Sequence, residues 1–193
     1  MKNKKVAITG GIGSGKSTVS NLIKEMGGTV YSCDAICGEI YKNQVFLRRL
    51  KKLFPTAIRG KILLKADKKE ISKLTFNCKE NNDKLKALLH PLIMKKLLKE
   101  LNSKKGVVFA EVPLLFEGGL ENLFERVIVV KRELEKRYVS LKTRSNLERD
   151  EVSKIMASQV DYESLDLSKF IVLQNDGSID ELREKIKTIL ESI

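Results

Sequence analysis

Five short runs of aliphatic and β-branched residues recur along the chain: "KVAIT" at 5–9, "TVYS" at 29–32, "GVVFAEV" at 106–112, "RVIVV" at 126–130 and "FIVLQN" at 170–175. They lack the apolar-polar alternation of a half-exposed strand, the pattern expected of a sheet covered by helices on both faces. Between the first two, "GKSTVSNLIKEMGG" sets Val19, Leu22, Ile23 and Met26 at helical spacing and stops at Gly27-Gly28, residues suited to a helix C-terminus. The result is a β-loop-α-β unit, and with the later runs it predicts an α/β domain around a mostly parallel central sheet.

From about 39 to 104 the alternation fails. The pieces "VFLRRLKKLF", "KEISKLTF" and "DKLKALLHPLIMKKLLKEL" are amphipathic at helical spacing and no strand stands out, so this stretch predicts a helical insertion between the second and third strands. A second helical excursion, 133–165, separates the fourth run from the fifth. A last helix begins at Ser178 or Asp180, with a cap residue and early acidic side chains.

Composition narrows the classes. At 193 residues, 42% hydrophobic and 32% charged, the chain suits one soluble domain, and no apolar run approaches the roughly 20 residues of a membrane span. The apolar stretch after the N-terminal lysines is too short for the h-region of a signal peptide, so a cytoplasmic protein with no membrane partner is expected. Cys33, Cys37 and Cys78 form no CxxC pair and the one histidine, His90, is far from them, so free thiols rather than zinc are expected. The net charge of +12 calls for an anionic partner or a lysine-rich surface. Because 28 of the 37 basic residues are Lys spread along the chain and aromatics are only 6%, no dedicated nucleic-acid binding is expected.

The candidate chemistry lies between the first strand and helix. Gly10-x4-Gly15-Lys16-Ser17 fits the phosphate-binding pattern GxxxxGK[ST], in which backbone amides curl around phosphates, the lysine neutralises the outer ones and the hydroxyl ligates Mg²⁺. Gly11, Gly13, Ser14, Gly15, Lys16 and Ser17 are thus candidate contacts to ATP, with Mg²⁺ at Ser17. Parallel sheets bind ligands at the C-terminal ends of their strands, which brings Asp34, just past the second strand, into consideration as a proton acceptor or a holder of Mg²⁺ through water. A strand-end turn or helix cap is the ordinary alternative for that Asp.

Four stretches together, "VAITGGIGSGKSTVSNLIKEMGGTVYSCDAI", "LLHPLI" at 88–93, "VPLLFEGGL" at 112–120 and "QNDGSIDEL" at 174–182, resemble the dephospho-CoA kinase family from end to end. The resemblance implies a three-layer α/β P-loop NTPase fold over 1–193. Its nucleotide-binding core would comprise 1–38, 105–132 and 166–193, its helical acceptor-binding region 39–104 and its helical lid 133–165. It implies transfer of the γ-phosphoryl group of ATP to the ribose 3′-hydroxyl of dephospho-CoA. Asp34 would be the general base, Lys16 with Mg²⁺ at Ser17 would stabilise the transferring group, and Thr18 would hold the α-phosphate region. The family commonly has Asp-Ala-Asp where this chain has Ser32-Cys33-Asp34, so the base is retained and a supporting carboxylate is absent.

Other roles follow from the same resemblance. His90 and Pro91 would shape the acceptor pocket, a structural histidine at a helix break being the alternative; Lys69 stands where the family often has Arg. Pro113, Leu114, Leu115 and Glu117 would line the acceptor site, the apolar members also reading as core, and Asn175 would lie near adenine. Glu111 is a candidate for holding a metal-bound water, or an ordinary strand-end carboxylate. In the lid, Arg144 and then Arg137, seven residues apart on one helical face, are candidates to meet the phosphates. Two other readings stand beside this one: another P-loop kinase, or an ATP-dependent switch that engages nucleic acid.

Overall fold

The computed structural model describes residues 3–76, 78–145 and 148–193. Five strands, β1 (Lys4–Thr9), β2 (Thr29–Ser32), β5 (Val107–Glu111), β6 (Arg126–Lys131) and β7 (Ile171–Gln174), form one sheet in the order β2-β5-β1-β6-β7. Every pairing in it is parallel. These are the five apolar runs of the sequence, and the reason they are unbroken is visible: Val6, Ala7 and Ile8 are successive yet all fully buried, so both faces of the sheet are covered.

One face of the sheet packs on α1 (Lys16–Glu25) and α8 (Ile179–Ser192). Val6, Ile8, Phe109, Ile128, Val130 and Leu173 from the strands meet Val19, Leu22 and Ile23 of α1 and Leu182 and Ile186 of α8. α1 ends as its glycines direct: Gly27 takes a φ of 86°, and Gly28 N–H donates to Ile23 O at 2.8 Å. α8 starts behind Ser178, whose side chain accepts from Glu181 N, with Asp180 and Glu181 in the first turn.

The chain divides into two compact units, one of residues 1–32 and 101–193, the other of residues 33–100. The second unit contains α2 (Cys33–Ile40), α3 (Gln44–Leu53), the short strands β3 (Ile58–Arg59) and β4 (Lys65–Ala66), and α4 (Lys68–Phe76). Most of α5 (Lys79–Ser103) belongs to it as well. Asn43 caps α3, its side chain accepting from Val45 N and Phe46 N, and Asp67 caps α4 by accepting from Glu70 N at 3.1 Å.

Two expectations are corrected here. The helical insertion does hold strands, the antiparallel pair β3 and β4. Two residues each are too few for an alternation to show in the sequence, and Gly60, at a φ of 95° with Leu63 O where a Cβ would stand, makes their turn. Nor does α5 break at His90-Pro91: it runs through Pro91 as one helix of 25 residues. Proline deletes one N–H and crowds one carbonyl, and the remaining backbone of a long helix carries it past the defect.

α6 (Leu134–Ser145) and α7 (Arg149–Ala157) make up the excursion between β6 and β7. Glu148 and Glu151 form a reciprocal capping box at the start of α7. Among the described residues no helix is long and apolar enough to cross a membrane.

Candidate active site

The glycine-rich loop joins the C-terminal end of β1 to α1. Gly15, at the N-cap of α1, has a φ of 96°, and a Cβ there would stand 2.1 Å from Asn175 Nδ2, so only glycine serves. The first turn of α1 carries no acidic side chain. The N-terminal end of a helix carries the positive end of its dipole and attracts anions.

Lys16, Asn175 and Arg137 hold the loop from different sides. Lys16 Nζ donates to Gly10 O at 2.8 Å and Gly11 O at 3.0 Å, folding the lysine over the loop. Asn175, 8% exposed, donates from Nδ2 to Ser14 O at 2.8 Å, and its own N–H donates to Lys131 O at 2.9 Å. The third is Arg137 of α6, whose Nε donates to Ile12 O at 2.8 Å while its guanidinium fills the space beside Gly11. Burial lowers the Arg137 pKa, with Glu163 the largest opposing charge; an arginine starts so high that it remains a cation at neutral pH.

Ser17 Oγ donates to Glu111 Oε1 at 2.9 Å, and Glu111 is 6% exposed. Glu111 closes β5, in register with Ile8 of β1 on one side and Ser32 of β2 on the other. A hydroxyl and a buried carboxylate set side by side at a phosphate loop are hard oxygen donors of the kind Mg²⁺ takes beside substrate phosphates, so these residues fit that ion. Thr18 follows on α1, half-buried.

Sequence reading missed Gln159 and Tyr162. Gln159 Oε1 accepts from Ile12 N at 2.8 Å, so Ile12 is held through its N–H by the segment after α7 and through its carbonyl by α6. The Tyr162 hydroxyl lies 3.3 Å from Thr9 Oγ1, both side chains buried, and burial pushes the phenol pKa up. Phe116 packs edge-on to Tyr162. One Gln and one Tyr in a polar segment carry no periodicity, and nothing in the sequence marks them. A cavity of about 810 Å³ lies between α6, the segment after α7 and the ends of β6 and β7, walled by Arg132, Arg137, Tyr162, Glu163 and Asp176 among others.

The other candidates are spread out. Arg144 is exposed near the end of α6 and lines a separate surface depression with Arg132 and Lys136. Leu115 is fully buried and so is core; Pro113 and Leu114 are half-buried. Glu117 accepts from Val160 N at 3.0 Å, tying its segment to the one after α7. In the helical unit, Asp34 is exposed in the first turn of α2, Lys69 is exposed at the start of α4, and His90 and Pro91 lie on an exposed side of α5. Near Asp34, Cys37 is half-buried and its thiol pKa is pushed up by burial, against the opposing charge of Lys68. Burial also pushes the phenol of Tyr41 up to about 12, and the Lys68 ammonium sits 5.4 Å over that ring. His90 is held below the ordinary histidine range by burial and by repulsion from Lys86.

The family model for dephospho-CoA kinase matches residues 4–181. The chain belongs to the dephospho-CoA kinase family. A dephospho-CoA kinase of Thermus thermophilus is 35% identical over 189 residues, covering 97% of this chain and 91% of its own. A crystal structure of a Thermus thermophilus protein superimposes with a TM-score of 0.86 at 34% identity, covering 100% of this chain and 99% of its own. Shikimate kinase from Acinetobacter baumannii, at 15% identity and a TM-score of 0.54 over 98% of this chain and 93% of its own, shares the fold alone. As a dephospho-CoA kinase family member the chain is an α/β P-loop kinase, and the reaction is the ATP-dependent phosphorylation of dephospho-CoA in coenzyme A synthesis.

Proposed function

We propose that the chain transfers the γ-phosphoryl group of ATP to the 3′-hydroxyl of the dephospho-CoA ribose, with the roles divided between its two compact units. The observation that carries this is the Ser17–Glu111 pair, 2.9 Å apart, beside the left-handed Gly15 and Lys16 at the C-terminal edge of a parallel sheet. The loop amides and the α1 N-terminus bind the phosphates. Lys16 exchanges its two carbonyl partners for phosphate oxygens. Ser17 and Glu111 are the residues that would hold Mg²⁺, which when bound would offset charge on the phosphates.

Asp34 is the general base. α2 begins at the residue after β2, and the last residue of β2, Ser32, is in register with Glu111. Chain connectivity alone therefore keeps Asp34 within two residues of the edge that carries the phosphate loop. Its carboxylate takes the 3′-hydroxyl proton as the oxygen bonds to the γ-phosphorus, and the bond to the β,γ-bridging oxygen breaks to release ADP.

Arg137 takes first place among the lid cations, because it already touches the loop at Ile12 and Gly11 while Arg144 is exposed. Asn175 acts by fixing the loop from beneath, through Ser14 O, at the edge where adenine lies. The cavity behind α6 and α7 leaves room for those helices to close over the phosphates and shed water. Residues 33–100, with Lys69, His90 and Pro91, select the acceptor. The partners are small molecules, ATP and dephospho-CoA, acting in the cytoplasm.

The deciding experiment is ATP consumption with dephospho-CoA, adenosine monophosphate or shikimate as acceptor, for wild type and Asp34→Asn. Turnover confined to dephospho-CoA and lost in the variant is expected. Equal turnover with a rival acceptor, or none of it dependent on Asp34, would overturn the assignment.

A further inference from the structure

The net charge is not shared evenly. Residues 33–100 hold 17 Lys and Arg against seven Asp and Glu, which is +10 of the chain's +12. Within them, 44–66 carries seven cations, Arg48, Arg49, Lys51, Lys52, Arg59, Lys61 and Lys65, and no acid. This is also where, among the described residues, the aliphatics are most exposed: at the tip of the β3–β4 hairpin Ile62 is 90% and Leu63 is 69% exposed.

The tip is presented from a fixed base. Leu64, next in the chain, is buried and its backbone is paired twice by one side chain, Leu64 N–H donating to Gln44 Oε1 at 2.9 Å and Gln44 Nε2 donating to Leu64 O at 3.1 Å. Lys51 reaches from α3 to Gly60 O at 3.4 Å, which puts an ammonium beside the turn. Arg59 is partly neutralised by Asp67, at 2.6 Å; Lys61 and Lys65 flank the aliphatics in sequence. The unit thus offers two adjacent apolar side chains projecting from a cationic surround.

We propose that this hairpin tip is a docking surface for an anionic lipid bilayer, to which the enzyme attaches peripherally. The charge complementarity decides among occupants. A second copy meeting this tip would oppose Lys51, Lys61 and Lys65 with the same three cations, and like charges across an interface repel. A nucleic acid would use the cations but leave the aliphatics without a partner, and 60–65 contains no aromatic on which a base could stack. A bilayer with acidic headgroups uses both: lysines meet lipid phosphates while Ile62 and Leu63 enter the boundary between headgroups and acyl chains. No spanning segment is needed, in keeping with the helices described.

The test is co-sedimentation of the full chain with vesicles of phosphatidylcholine alone and of phosphatidylcholine mixed with phosphatidylglycerol. Three proteins are compared: wild type, Ile62→Ser with Leu63→Ser, which leaves the charge unchanged, and Lys51→Glu with Lys61→Glu. Wild type should bind the phosphatidylglycerol vesicles and not the neutral ones, and each double variant should bind at least tenfold more weakly while keeping the wild-type melting temperature and circular dichroism spectrum in vesicle-free solution. An unchanged melting transition shows that the variants are folded, so loss of vesicle binding then belongs to the tip. No binding of wild type to acidic vesicles would overturn the proposal. So would binding indifferent to the serine pair, which would mark a diffuse charge effect, or binding to a single-stranded RNA oligonucleotide in place of vesicles.

Discussion

At Ile12 one residue's two backbone groups are claimed from two places in the chain, the N–H by Gln159 after α7 and the carbonyl by Arg137 of α6. A neutral hydrogen bond contributes about 1 kcal/mol net, so Gln159→Leu should raise the KM for ATP by about fivefold while kcat stays within a small factor. Gln159→Glu, which keeps an acceptor for Ile12 N–H, should recover most of that loss; steady-state kinetics on the two variants separates positioning from general destabilisation. Arg137→Ala should behave differently, lowering kcat by about a hundredfold or more if its guanidinium meets phosphoryl charge in the transition state. Arg144→Ala, on the exposed end of α6, should cost far less. Lys16→Ala should abolish turnover with the melting temperature little changed. The phosphate loop was legible in the sequence because its glycines, lysine and serine are fixed by phosphate chemistry. Glu111 was legible as a candidate for a metal-bound water or as an ordinary strand-end carboxylate, but its bond to Ser17, which joins residues 94 positions apart, was not.

The elements followed the hydrophobic pattern wherever burial imposed one. The five parallel strands and α1 and α8 share a core, and a two-sided core writes long apolar runs into the chain. The β3–β4 hairpin escaped because its strands answer to a local turn rather than to a sheet face. α5 is the reverse case: local chemistry at Pro91 argues for a break, and the surrounding helix overrides it. Interior proline costs a helix about 3 kcal/mol relative to alanine, so Pro91→Ala should raise stability by about 1–3 kcal/mol in denaturant unfolding. A stability gain accompanied by a higher KM for dephospho-CoA would show that the proline is kept for the acceptor site. Unchanged kinetics would make it incidental to catalysis.

For the whole molecule, charge and compactness divide along the same boundary. Residues 1–32 and 101–193 hold the phosphate loop with a net charge of only +2, whereas residues 33–100 carry +10. On the proposed division of roles the core needs little net charge, since loop amides, a helix end and Lys16 would be aimed at one anion, whereas the helical unit would work through a broad field that draws in a polyanionic acceptor. The two substrates should therefore mark different parts of the chain in amide hydrogen exchange. A non-hydrolysable ATP analogue with Mg²⁺ should slow exchange at 10–18 and around 131–163, where α6 and the Gln159 segment meet the loop. Dephospho-CoA added afterwards should extend protection into 33–100, and the Lys16→Ala protein should lose the first effect while keeping part of the second. Protection by dephospho-CoA confined to the core would place acceptor recognition outside the helical unit and leave the charge of that unit to its surface role alone.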